Sequence, residues 1–304
     1  MNTISIIIIT YNRPADTFDL LNDIIKLNHI DLLKDIIVLN NHSNDDYADV
    51  KKLIDKNTGI PFLFIDAPEN LGVAKGRNYA TQFAKGEIFF FIDDDVNLKD
   101  KETLQKIVYC FSANNYADRK LGVASFKVIY STTMQMQLTA FPHKKFEKYK
   151  DKNRFRTSYY AGCAHAKLRD AWNDAGPYPE DFFYGMEEYD FSYRVLDAGY
   201  FIEYNNSFEV IHKESPLGRK SNEEKLRMMW INKSKVAWRY LPKIYFYSTA
   251  FMWSLEYLKK TGLNFKNFFS TWKKIIAIPR KEKRNLLQKS TLDYLKEVEA
   301  RLWY

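Results

Sequence analysis

Short apolar runs alternate with amphipathic stretches through the first hundred residues. Residues 4–10 form an almost unbroken isoleucine run, the pattern of a strand buried on both faces. Apolar positions three and four apart then predict a helix over residues 15–27. The rhythm repeats, with strands over 35–39, 61–65 and 87–92 and helices over 46–56, 73–84 and from Lys101 onward. Continuous apolar strands separated by helices predict a parallel-rich sheet covered by helices. In such sheets ligands bind beyond the carboxyl ends of the strands. The polar clusters Thr10–Arg13, Asn40–Asp45, Asn70–Asn78 and Asp93–Asp95 all fall there.

The pattern is weaker further on. Residues 130–158 carry many charges without a clear period, and no element is assigned to them. They are expected to shape the acceptor side of a site. A strand over 158–161, a helix near 167–173 and a loop through Gly176-Pro177-Tyr178-Pro179 follow. A helix over 188–198 ends at Gly199, suited to a left-handed cap. From Ser221 the pattern is helical, with breaks expected at Pro242, Gly262 and Pro279.

Composition sharpens this picture. With 46% hydrophobic and 16% aromatic residues in 304, the chain is globular and disorder is excluded. Residues 221–304 carry 18 Lys/Arg against 7 Asp/Glu, whereas residues 1–220 carry 28 against 31, so the net charge of +8 is concentrated in the tail. Such asymmetry predicts that the tail meets an anionic surface. Within residues 259–284, Phe265, Phe268, Phe269, Trp272 and Ile276 keep helical spacing among nine Lys/Arg and one Glu. That pattern fits either a core-packing face or an interfacial helix on anionic lipid. Cys110 and Cys163 are too few for a disulfide framework and fit a reducing cytosol. No secretory signal is expected, and the apolar stretch 244–255 is too short for a span of roughly 20 residues. The expected location is cytoplasmic, peripheral to the inner face of the membrane.

The chemistry concentrates in carboxylates. Asp93-Asp94-Asp95 leaves a hydrophobic strand, and three like charges at one strand end are costly unless a cation offsets them. In an extended segment Asp93 and Asp95 point the same way, and such hard oxygen ligands suit Mg²⁺ or Mn²⁺; the bland alternative is a solvated acidic turn. Glu187-Glu188-Tyr189-Asp190 opens a later helix, where acids complement the helix dipole or serve as a general base; Asp190 and Arg194, four apart, are expected to pair. Asn70 to Asn78 opens another helix, whose N-terminus and Arg77 could receive phosphate, although its glycines equally fit a packing role. His212 sits on a short apolar run, a place where histidine is more often structural.

In this order the segments resemble the family-2 glycosyltransferases of GT-A fold. The likeness rests on Ile9-Thr10-Tyr11-Asn12-Arg13, on Asn40-Asn41-His42-Ser43-Asn44-Asp45 and on Asn70-Leu71-Gly72-Val73-Ala74-Lys75-Gly76-Arg77-Asn78. It continues through Ile92-Asp93-Asp94-Asp95-Val96 and the stretch Tyr184 to Arg194, covering about residues 4–215. The resemblance implies a mixed, mostly parallel α/β sheet sandwiched by helices as a catalytic domain over 1–220. Its nucleotide-sugar half would be about 1–100 and its acceptor half about 101–220, with 221–304 a basic, aromatic-rich helical extension. It further implies that Tyr11, Asn40 and Arg77 contact the nucleotide, and that Asp94 lies close to the ribose. Asn40 stands where the family usually has Asp; its amide oxygen suits a uracil or thymine N3–H. Asp93 and Asp95 match the metal-holding pair, His212 matches a third ligand used by some members, and the cation would be Mn²⁺ or Mg²⁺. Glu187 and Glu188 stand at the family's Glu-Asp pair, with Glu188 the expected base and Glu187 its alternate.

The implied reaction is inverting transfer of a sugar from a UDP- or dTDP-linked donor to an acceptor hydroxyl. The acceptor would be a glycan or lipid-linked glycan of cell-surface polysaccharide synthesis. Two rival classes fit less well. A nucleotidyltransferase would carry a glycine-rich basic loop after the first strand, where Thr10-Tyr11-Asn12-Arg13-Pro14 stands. A nucleic-acid binder would not place acidic clusters at the sheet end, and no nucleic-acid partner is expected.

Overall fold

The computed structural model describes residues 3–112, 118–218 and 220–303. The opening half runs β1 (Ile4–Thr10), α1 (Pro14–Ile25), β2 (Leu33–Asn40), α2 (Ala48–Lys56), β3 (Phe62–Asp66), α3 (Gly72–Thr81) and β4 (Ile88–Asp93). Next come β5 (Val96–Leu98), α4 (Thr103–Ser112), β6 (Lys120–Tyr130), α5 (Phe146–Tyr149), β7 (Arg154–Thr157) and β8 (Ala164–Leu168). The chain ends with α6 (Arg169–Ala175), α7 (Glu187–Asp197), β9 (Tyr200–His212), α8 (Asn222–Tyr240), α9 (Lys243–Lys260), α10 (Phe265–Lys281) and α11 (Lys289–Glu297).

One sheet carries all nine strands in the order β3-β2-β1-β4-β8-β6-β9-β5, with β7 against β9. The strands read from the isoleucine and phenylalanine runs form its parallel half, β3-β2-β1-β4. Ile4, Ile6, Ile8, Phe90 and Ile36 through Leu39 are buried there. Beyond β4 the sheet is mixed: β8 runs antiparallel to β4 and β6, whereas β6 and β9 are parallel. The pairing of β5 with β9 sets Val96 against His212, which brings the end of the chain's longest strand beside the Asp triplet.

Several sequence expectations are corrected here. Residues 158–161 are not a strand; the paired segments lie on either side, in β7 and β8. The helix expected near 167–173 starts at Arg169, because Lys167 belongs to β8 opposite Phe89. β6 and most of β9 escaped the sequence reading, since polar residues interrupt their apolar pattern. Those polar groups are buried with partners: Glu203 of β9 accepts from Arg154 Nε at 2.9 Å. Pro279 does not break α10, which continues to Lys281. Pro279 still removes the bond to the carbonyl of Ile275, but it lies two residues from the end of α10, so little helix remains beyond it to be disrupted.

Helices α8, α9 and α10 share their own core around Trp230, Trp238, Phe246, Tyr257, Ile275 and Ile278. Ser221 and Glu224 start α8 with a reciprocal capping box. α8 is tied to the sheet-bearing part of the chain: Asn232 Nδ2 donates to the carbonyls of Tyr184 and Gly185, and Arg239 pairs with Asp190 at 3.1 Å. The aromatic stripe expected on α10 splits. Phe268 and Trp272 pack on Trp230, with centroids 5.7 and 5.5 Å away, whereas Phe265, Phe269 and Ile276 are exposed. Ile244, Tyr247, Phe251 and Leu255 of α9 are exposed as well, at spacings that place them on one helix face. No helix among the described residues is long and apolar enough to cross a membrane. Cys110 and Cys163 are both buried free thiols.

Candidate active site

A cavity of about 450 Å³ opens at the carboxyl ends of the parallel strands, where the sequence placed the site. Tyr11, Arg77, Asp93, Asp94, Glu187, Glu188 and His212 line it. Asn40 does not; its amide donates to Asp66 Oδ1 at 2.7 Å and its oxygen accepts from Ser43 N at 3.1 Å. Asn41 lines the cavity beside it.

Asp93 ends β4, and Asp94 and Asp95 sit in a turn before β5 rather than in extended chain. Asp93 and Asp95 still converge, because the turn and the β5–β9 pairing carry them to His212. Ligand atoms of these three residues all lie within 4.8 Å of one another. His212 Nδ1 is 2.8 Å from Gln137 Oε1, and Gln137 in turn donates to Glu214 and Thr139. This leaves Nε2 facing Asp95 Oδ1 at 3.3 Å, buried and without hydrogen-bond geometry to any acceptor. Burial opposes the charged imidazole, yet Asp95 and the Cys163 sulfur beside it together outweigh that cost and push His212 up to about 11. A proton on Nε2 thus stands where a cation would. Two carboxylates plus an imidazole oriented by a neighbouring amide fit a divalent ion.

Asp94 is held differently. Arg13 Nη1 donates to its Oδ1 at 2.7 Å and lies 3.2 Å from Asp95 Oδ2. Burial foremost, partly offset by Arg13, raises Asp94 to about 7. Arg13 also donates to the carbonyls of Ser215 and Leu217, so it latches the segment after β9 over the cluster.

Arg77 is the centre of the second group. Its guanidinium is buried and donates to Asp93 Oδ1 at 3.0 Å, Gly162 O at 2.8 Å, Glu188 Oε1 at 3.3 Å and Glu187 Oε1 at 3.4 Å. Glu187 is buried, and burial together with Glu188 raises it to about 8. Glu188 is the more accessible of the two, with 17% of its side chain exposed against 3% for Glu187. It packs against Gly162, where any side chain would displace its carboxylate. Asp190 pairs with Arg194 at 2.8 Å as its spacing implied, on the structural side of α7.

Three donors at the N-terminus of α3 are already taken. Leu71 N bonds Asn41 Oδ1, Gly72 N bonds Asn70 Oδ1 and Val73 N bonds Phe183 O, all near 3 Å. Gly72 has a φ of 71°, and a Cβ there would lie 2.5 Å from Phe183 O. Gly72 therefore serves close packing against Phe183. Arg13, Gln137 and Gly162 were not singled out from sequence. Gln137 lies in the unread stretch 130–158, which supplies one cavity wall through Gln137, Thr139, Ala140 and Lys144.

Residues 5–174 match the model of the family described as Glycosyl transferase family 2. An uncharacterized protein of Haemophilus influenzae is 31% identical over 178 residues, which is 59% of this chain and 94% of that one. In structure the chain is similar to S. aureus TarS 1–349, with 16% identity, 91% of this chain and 80% of that one covered, and a TM-score of 0.60. It is also similar to GalNAc-T7, solved with UDP, GalNAc and Mn²⁺, at 18% identity, 91% and 57% coverage and a TM-score of 0.64. Pyrobaculum calidifontis mannosyltransferase PcManGT, in complex with GDP-Man and Mn²⁺, gives 14% identity, 97% and 79% coverage and 0.59. At these identities the structural likeness is one of fold.

Proposed function

From the premise that this chain belongs to glycosyl transferase family 2 and is a glycosyltransferase, we propose that it moves a sugar from a nucleotide diphosphate to an acceptor hydroxyl with inversion. The observation that carries this reading is Arg77, which spans from Asp93 of the metal-type cluster to Glu188 inside one cavity. Asp93, Asp95 and His212 would hold Mn²⁺ or Mg²⁺, which would offset the charge growing on a diphosphate leaving group.

Glu188 accepts the proton of the attacking hydroxyl. It reaches the cavity, whereas Glu187 lies deeper, keeps its proton to higher pH and holds Arg77 from behind. Arg77 orients Glu188 and binds Asp93 through charge-assisted hydrogen bonds. Tyr11 lines the donor end, where a nucleotide base stacks, with Asp94 close to the ribose. Asn40 selects the base at one remove, through the turn it fixes at Ser43. A UDP- or dTDP-linked donor and a glycan acceptor of cell-surface polysaccharide or lipid-linked glycan synthesis complete the reading.

Calorimetric titration of UDP-, dTDP- and GDP-sugars, with and without Mn²⁺, tests it. Binding of one nucleotide class that strengthens at least tenfold with Mn²⁺ is expected. If no nucleotide sugar binds to folded protein under either condition, the assignment fails. We further propose peripheral attachment to the inner face of a membrane through the exposed faces of α9 and α10. Their apolar residues Phe251, Leu255, Phe265 and Phe269 stand among Lys259, Lys260, Lys266 and Lys273. The protein should float with phosphatidylglycerol vesicles at low salt and not with phosphatidylcholine vesicles. Equal recovery with both sinks the attachment.

A further inference from the structure

The segment that joins β7 to β8 touches three parts of the site. Gly162 O accepts from Arg77 Nη2 at 2.8 Å, and Cys163 O accepts from the backbone N–H of Asp93 at 2.8 Å. Gly162 also lies against the Glu188 carboxylate, so closely that a Cβ would collide with Oε1. A glycine has no side chain to anchor it, so its neighbours must fix its place.

Those neighbours are held from behind. Phe91 of β4, His165 of β8 and Ser125 of β6 are cross-strand partners, so their side chains share one face of the sheet. Ser125 and His165 are fully buried and do not line the cavity. Ser125 Oγ accepts from Ala161 N at 3.0 Å, and His165 Nδ1 lies 3.0 Å from Ala161 O. The peptide groups on both sides of Ala161 are therefore taken. A carbonyl can only accept, so Nδ1 carries the ring proton and Nε2 is left as acceptor. Tyr178 Oη stands 3.3 Å from Nε2 and also bonds Lys167 Nζ and Tyr160 Oη. The ring stacks on Phe91 with centroids 5.1 Å apart. Burial first, then Lys167 and Arg77, hold the imidazole well below its ordinary range, so it stays neutral in this tautomer.

We propose that His165 and Ser125 are positioning residues for the transfer reaction: they clamp Ala161, which sets Gly162 and through it the place of the Glu188 carboxylate. This deepens the transferase reading and rests on Glu188 as its base. Neither residue meets substrate. With the clamp open, Gly162 can drift from Arg77, and Glu188 loses the wall it leans on. The metal-type cluster keeps its own ligands, so donor and metal binding do not depend on the clamp.

Turnover of the full chain is read as release of nucleoside diphosphate into water from UDP-glucose, dTDP-glucose and GDP-mannose with Mn²⁺. His165→Phe keeps the stack on Phe91 and removes the donor, whereas His165→Asn gives up the stack and replaces Nδ1–H by an amide N–H. His165→Phe should lower kcat by about 10- to 100-fold, the scale of a small misplacement at a reacting group, with donor KM and Mn²⁺ affinity within about twofold of wild type. His165→Asn should recover most of kcat. In a Glu188→Gln background His165→Phe should cost little more, because residues that act through one group are not additive. A kcat in His165→Phe equal to wild type, or above that of His165→Asn, overturns the clamp, as does a fully additive loss in the double variant. If His165→Phe does not fold, Ser125→Ala removes the other half of the hold and should lower kcat about tenfold in the same pattern. Hydrogen exchange over residues 158–163 needs no donor; it should quicken about tenfold or more in His165→Phe and not in His165→Asn. Equal exchange in all three proteins also overturns the clamp. The two readings fail separately. Quickened exchange in a protein whose wild type releases no diphosphate removes the transferase reading, and turnover indifferent to His165 removes only the positioning role.

Discussion

Gln137 is the sharpest test of the metal cluster, because its hydrogen bond to that cluster runs through His212. Its Oε1 lies 2.8 Å from His212 Nδ1, and its Nε2 donates to Glu214 Oε1 at 2.8 Å. Gln137→Met keeps the volume and removes the acceptor. The variant loses a buried hydrogen bond and leaves the His212 N–H unpaired, together about 1.5–3 kcal/mol. Part of that cost falls on the ring's orientation, so Mn²⁺ affinity should drop by about 10- to 100-fold, the usual scale for a residue that orients a ligand. Gln137→Glu is no rescue, because its second oxygen would face Glu214 Oε1 where the amide now donates, and the two carboxylates would repel. The assay is Mn²⁺ titration followed by the electron paramagnetic resonance of the free ion, with thermal unfolding as a check on folding. If Gln137→Met binds Mn²⁺ as tightly as wild type while His212→Ala does not, the orienting role is wrong. If neither variant loses affinity, His212 is not a ligand.

Three further predictions follow from the same geometry. Asp95→Ala should abolish transfer and weaken donor binding in the presence of Mn²⁺; full activity in that variant, or in wild type with excess chelator, refutes a metal role. Glu188→Gln should retain donor affinity and lower kcat by about 10²-fold or more, and an unchanged rate places the base elsewhere. Glu187 is raised to about 8, so the folded chain holds a proton that an unfolded glutamate releases above about 4.3. Its contribution to stability is full below that value and is lost as pH rises to about 8. Metal-free Glu187→Gln should therefore show a shallower fall of Tm between about pH 5 and 8 than wild type, and parallel curves would contradict the assignment.

Much of this was legible in the sequence because a buried parallel sheet writes itself in unbroken apolar runs. Residues 4–10 and the phenylalanine run before Asp93 specified the parallel half of the sheet and the strand end that holds the triplet. Motif order then marked Arg77, the acidic pair and His212, all of which the fold brings to one cavity. What could not be read is the mixed half. There β6 and β9 bury polar side chains whose partners are distant in sequence, as Arg154 is from Glu203. Local pattern carries no trace of such pairing. The same limit hid Gln137 and Gly162, whose roles are contacts with His212 and Glu188. The sequence marked Arg77 as a nucleotide contact, but not the carboxylates of β4 and α7 that close around it.

That closure bears on how the site would work. Arg77 is shared among three carboxylates, two of which, Glu187 and Glu188, repel each other and a third, Asp93, which belongs to the metal-type cluster. A cation beside Asp93 would draw that carboxylate's charge to itself and leave more of the guanidinium to the glutamates. Ionisation of Glu187 would then become easier, and the guanidinium would grip Glu188 more firmly. Donor loading and readiness of the base would thus be linked through one side chain. Arg77→Lys, with its single point charge, cannot bridge both groups in this way. It should therefore lower kcat even at saturating Mn²⁺ and donor, and rescue of kcat by Mn²⁺ alone would break the link.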